Sequence, residues 1–180
     1  MKKYKKHFDM QSEINEKGKV THRVVYKGEY YQYDLEEPKQ KTMKLLYVGI
    51  LALITLIIVG MGLINNPGSR RLEITIPYVV CYLPLVYAWL AVFRIWVAPK
   101  RMDYVDYDKG CVRLKKSTIG MLVFGMLTLV GELIFWVLDE NGFSLHSEWL
   151  FLMGGLFFAL ILLVFLQLQR RFPCISEKKI

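Results

Sequence analysis

Four apolar blocks, each about as long as the hydrocarbon core of a bilayer is thick, set the terms for this chain. Leu45–Ile64 has no charged residue, Ile76–Val97 has only Arg94, Ile119–Leu138 has only Glu132, and Trp149–Gln167 has none. A helix needs about 20 residues at 1.5 Å rise to cross roughly 30 Å of hydrocarbon. A soluble fold can bury one helix that is apolar all round, but four of them in 180 residues leave too few polar residues to coat the bundle. The 54% apolar content and the mean hydropathy of +0.29 come from these blocks, not from a uniform bias. The fold class this predicts is an all-α integral membrane protein with four transmembrane helices in two antiparallel hairpins. Helix one covers 45–64, helix two 76–97, helix three 119–138 and helix four 149–167. The charged start Met1-Lys2-Lys3 runs into polar residues, not an apolar stretch, so no cleaved signal is expected and helix one serves as its own insertion signal.

Basic residues are unevenly divided. Of 24 Lys and Arg, 11 precede helix one, six lie between helices two and three, and four follow helix four. The first connection holds only Arg70 and Arg71, and the third holds none. Lys- and Arg-rich loops stay on the cytoplasmic side of a membrane, so this asymmetry predicts a multi-pass plasma-membrane protein with both termini in the cytoplasm. Tyr47, Tyr78, Tyr82, Trp96, Trp136 and Trp149 fall near block ends, where amphipathic rings sit at headgroup depth.

The cytoplasmic segments read as small β elements. Residues 1–44 comprise a Lys-rich, aperiodic start of about sixteen residues, expected to be disordered, and a hairpin over 21–34 turning at Lys27-Gly28. The loop 98–118 holds a second hairpin over 103–116, turning at Lys109-Gly110. That register sets Val105 against Leu114, Tyr107 against Val112 and Asp106 against Arg113. A lone hairpin is marginal in water, so the two are expected to join in one sheet, with 168–180 as a tail. Tyrosines beside Lys and Arg could also stack nucleic-acid bases, but tyrosine is favoured in strands and at headgroup depth in any case, so no nucleic acid is expected as a partner.

Glu132 departs from what a passive anchor needs. It lies 13 residues into helix three, about 20 Å from the inner edge of the hydrocarbon and roughly 10 Å from the outer one. A carboxylate at that depth must be protonated, paired or wet. Helical spacing places Met121, Gly125, Thr128 and Glu132 on one small or polar stripe facing the bundle, which makes Glu132 and Thr128 a candidate intramembrane polar site. Arg70, Arg71 or the tyrosines at the outer end of helix two are its expected partners. A proton or cation relay is the functional reading. A structural interhelical hydrogen bond outweighs it, because no second ionisable group is expected at that depth. Arg94 is a candidate lipid-headgroup contact, reaching out along its stem, or could pair with a cytosolic acid. Pro84 is expected to kink helix two and free the Val80 carbonyl. Gly155 and Ala159 form a small-xxx-small pair that permits close packing within the bundle or between copies.

No catalytic constellation follows from the motifs. His7, His22 and His146 are scattered, and H-E-x-x-H, a Gly-rich phosphate loop and C-x-x-C are all absent. Cys81 falls in the membrane and Cys111 and Cys174 in the cytosol, so neither a disulfide framework nor paired-thiol chemistry is expected. The chain therefore reads as a non-enzyme without cofactor or metal. It is expected to act as an accessory or regulatory partner of a membrane complex, with the lipid bilayer and either another membrane protein or a second copy as partners. The alternative is a small proton- or cation-coupled transporter or channel using Glu132.

Overall fold

The computed structural model describes residues 4–14, 20–138 and 146–177. Strands β1 (Phe8–Ile14), β2 (Val20–Tyr26) and β3 (Tyr30–Tyr33) precede helix α1 (Glu37–Gly62). A short connection leads to α2 (Leu72–Val80) and α3 (Tyr82–Val97), which act as one interrupted rod. Next come a turn of helix α4 (Tyr104–Tyr107), a π-helical stretch Asp108–Val112, α5 (Arg113–Leu138), α6 (His146–Arg171) and β4 (Cys174–Glu177). Among the described residues, four helical segments are long and apolar enough to cross a membrane: Glu37–Gly62, Leu72–Val97, Tyr104–Leu138 and His146–Arg171.

These segments form a ring in which α1 packs on α6 and α3, and α5 packs on α6, α2 and α3. The inward face of α1 is Met43, Tyr47, Leu51, Ile54, Ile58 and Met61, a repeat of three and four that keeps one stripe toward its neighbours. Leu46, Leu53 and Leu56, on the outer face, are exposed, as are Leu160 and Val164 on α6. A bundle apolar on both its inner and outer faces is what a lipid surround requires. Lipid tails are as apolar as leucine, so the helices must be held by close fit and interhelical hydrogen bonds. The close fit is visible at Gly155, where an added Cβ would stand 2.5 Å from Leu129 Cδ2, so the small-residue stripe of α6 serves the chain's own bundle. The hydrogen bonds are Trp89 Nε1 to Thr55 Oγ1 (3.1 Å), Gln169 Nε2 to Thr118 Oγ1 (2.9 Å) and the Tyr78 hydroxyl to the Ile58 carbonyl. The α2–α3 rod breaks at Cys81, between Pro77 and Pro84, and Pro84 lies against Gly120 of α5.

At one end of the ring, the strands and the basic residues gather. Lys44 donates to the carbonyls of Trp96 and Ala98 at the C-terminus of α3, where a cation complements the helix dipole. Here the sequence-based expectations need three corrections. Residues 103–116 do not form a hairpin: Asp103 caps a helix by accepting from the Asp106 amide (2.7 Å), and the chain stays helical into α5. The alternation that suggested strands also places Tyr104, Tyr107 and Cys111 on one helical face, which packs toward β3 and β4. Gly110 lets that turn approach Ile95, 3.0 Å from where a Cβ would stand. The second correction concerns 21–34, where both strands exist but do not pair with each other. β2 pairs with β1 over Phe8↔Tyr26 to Ile14↔Val20, and β3 pairs with β4 over Tyr30↔Glu177 to Tyr33↔Cys174. Burial decides this, because β3 is drawn to the base of the bundle by Tyr33, which is buried, and by Tyr31, which stacks on Tyr107 at 4.1 Å. The expected single sheet is therefore two separate two-stranded sheets, with a bridge from Tyr31 to Met102. Third, Phe8–Ile14 of the start expected to be disordered is strand β1; residues 1–3 and 15–19 lie outside the described residues.

Candidate functional site

At the opposite end of the ring, the first connection, the end of α5 and the start of α6 converge on two carboxylates. Glu148 sits in the first turn of α6, where negative charge suits the helix N-terminus. Its Oε1 accepts from the Gly68 amide and its Oε2 from Asn66 Nδ2, both at 2.8 Å. Glu132, nearly two turns before the end of α5, faces the same group. A Cβ on Gly68 would stand 2.8 Å from Glu132 Oε2 and 3.1 Å from Glu148 Oε2, so the missing side chain is what leaves the two acids a shared space. Asn66, Glu132 and Glu148 are all 0% exposed. Oδ1 of Asn66 has no hydrogen-bond partner among the described residues, whereas the Glu132 carboxyl stands within interaction range of the Glu148 carboxyl and of Trp136. Trp136 stands beside Glu132, and its ring meets that of Trp149 edge-on at 4.7 Å.

The chemistry of this arrangement is set by charge. Two carboxylates in one dry space repel strongly, and a single amide and a single backbone N–H cannot neutralise both. A shared proton or a bound cation can. The carboxyl oxygens are hard donors that suit a proton or a small monovalent ion. They fall short of the six to eight ligands that calcium takes. No cluster of three or more His, Cys, Asp or Glu occurs among the described residues.

The expected partners of Glu132 are not the ones it meets. The Arg71 guanidinium lies over the Phe135 ring at 5.7 Å, and the Tyr78 hydroxyl is engaged with Ile58 and Tyr82. The neighbour it meets is Glu148, whose charge sets it one residue outside the apolar block that starts at Trp149. A signal for it exists in the sequence, since Glu148, Phe151, Leu152 and Gly155 follow the helical spacing of one buried face. Thr128 is buried one turn from Glu132, but its hydroxyl donates to the Phe124 carbonyl of its own helix (3.0 Å). It borders a void of about 10 Å³ that holds at most one water. Arg94 is half-exposed and pairs with Asp106 in α4, the cytosolic-acid option, instead of standing free for a headgroup.

A second cluster lies among the strands, at the basic end. Cys111 Sγ, on the π-helical turn, is 3.2 Å from Cys174 Sγ of β4 and 3.0 Å from the Tyr33 hydroxyl of β3. All three cysteines are free thiols. The expectation that no cysteine pair exists is thus corrected: β3–β4 pairing joins two thiols that lie 63 positions apart in the chain. They border a cavity of about 440 Å³ that Tyr47, Lys115 and Arg170 also line. Burial pushes the Tyr33 phenol far above its ordinary range, so it keeps its proton; hydrogen bonding to Cys111, followed by burial, does the same to the Cys174 thiol.

Set beside protein-family models, curated proteins and solved structures, the chain finds no match.

Proposed function

We propose that this chain is a multi-pass plasma-membrane protein, with both termini cytoplasmic, that takes up a proton or a small monovalent cation at Glu132 and Glu148 and couples it to transport. The single observation that carries the reading is the pair of fully buried acids sharing the space over Gly68. The plainer role, one isolated acid making a structural hydrogen bond, loses its main support once a second ionisable group stands beside the first. In this topology the pair lies at the outer side and loads from the first connection. Between it and the basic end, the interior is closed by Leu129, Phe158 and Met121, all buried. A closed interior favours a carrier that rearranges over an open channel.

The test is flux in proteoliposomes. The parent protein should dissipate an imposed proton or sodium gradient, and Glu132→Gln and Glu148→Gln should each abolish that flux while the protein still elutes as a folded species. Unchanged flux in both variants, or none in the parent under either gradient, would overturn the proposal. The orientation has its own check: a C-terminal tag reachable from outside intact cells would reverse it.

The regulatory-partner reading keeps one observation in its favour. The β1–β2 sheet has two strands and hence two open edges, and an open edge can accept a strand from another protein. Co-purification of the same partner with the parent, but not with a chain lacking residues 1–28, would support it.

A further inference from the structure

The thiol pair at the basic end is remote from the carboxylates and is not used by the proposed function. Three features mark it as more than packing. The two sulfurs are already within 3.2 Å, so closing to a disulfide bond of about 2.05 Å asks for a shift of roughly 1 Å. Their carriers can make that shift: β4 is a short strand with one pairing partner, and Cys111 sits in a π-helical turn, a geometry that is rarely the lowest-energy form of a helix. A cavity of about 440 Å³ beside both sulfurs gives a small oxidant access, with Lys115 and Arg170 on its wall.

We propose that Cys111 and Cys174 are a peroxide-reactive dithiol, with Cys111 as the attacking sulfur and Cys174 as the resolving one. Cys111 Sγ lies within hydrogen-bond distance of the Tyr33 hydroxyl and the Cys174 thiol, each of which can donate to a Cys111 thiolate, and the two basic residues on the cavity wall favour negative charge nearby; these are the surroundings in which a thiolate forms. Its sulfur attacks one oxygen of hydrogen peroxide, the O–O bond breaks, and the departing hydroxide leaves as water with a thiol proton. Cys111 becomes a sulfenic acid. Cys174 sulfur then attacks Cys111 sulfur, the S–O bond breaks, and a second water leaves with the remaining thiol proton. Two thiols and one peroxide become one disulfide and two waters. A cellular dithiol reductant reverses the step by exchange, taking the disulfide onto itself. The bond would tie the tail after α6 to the turn before α5, clamping the base of the bundle.

Purified protein in detergent, treated with hydrogen peroxide and then alkylated, tests this. The parent should lose two of its three alkylatable thiols, with an intact mass lower by two hydrogens, and dithiothreitol should restore both. Cys81→Ser should behave identically apart from its missing thiol, and Glu132→Gln should oxidise at the parent rate, which separates this proposal from the carboxylate reading. In Cys174→Ser, dimedone should trap a sulfenic acid on Cys111, whereas in Cys111→Ser no adduct should form on Cys174. Tyr33→Phe should slow oxidation about tenfold, the equivalent of one hydrogen bond to a charged acceptor. Retention of all three thiols in the parent overturns the proposal, and an adduct on Cys174 in Cys111→Ser overturns the order of attack.

Discussion

Asn66→Ala is the most direct probe of the buried acids. The substitution removes the 2.8 Å amide donor from Glu148 Oε2 and keeps the Gly68 N–H on its Oε1. Both side chains are fully buried, so water does not replace the lost partner. A hydrogen bond to a charged group contributes about 1.5–3 kcal/mol, which places the expected loss near 2 kcal/mol, or about thirtyfold in the folded-to-unfolded ratio. The same substitution made in a Glu148→Ala background has no charge left to strand and should cost less than about 0.5 kcal/mol. Reversible unfolding in mixed micelles, read by tryptophan fluorescence, suits the measurement because Trp136 and Trp149 flank the site. Equal costs in the two backgrounds would mean that Asn66 and Glu148 do not interact, and the geometry of the site would then be wrong.

Two further outcomes follow from packing and charge. Gly155→Leu should destabilise the bundle by about 1–3 kcal/mol, because its Cβ would already press on Leu129, whereas Gly49→Leu, with nothing within 4 Å, should be neutral or slightly stabilising in the same unfolding assay. At the basic end, the hydrogen bond from Lys27 holds the Asp9 carboxyl below its ordinary value of 3.8. A lowered folded value means that the contribution of this pair is complete above 3.8 and is lost as pH falls through the lower value. Cross-strand NMR contacts between Phe8 and Tyr26 should therefore weaken in acid, and Lys27→Met should abolish that acid dependence.

The amino-acid sequence by itself determined that there are four long apolar helices, because hydrophobic runs of this length need no tertiary information to be read. It also determined that Glu132 and Thr128 face inward, since helical spacing fixes which residues share a stripe. What it left open were the partners. Glu148 is a charge at the edge of an apolar block, and only the fold of the first connection, with a glycine at 68, brings it against Glu132. The segment 103–116 satisfies both a strand period and a helical face, and only the docking of Gly110 on Ile95 and the Asp103 cap selects the helix. Cys111 and Cys174 meet because burial of Tyr33 draws β3 to the base of the bundle, where its free edge pairs with the tail. Local periodicity is written along the chain and survives without context, whereas contacts between residues far apart in sequence depend on which surfaces compete for burial, and that competition is settled only when the whole chain packs.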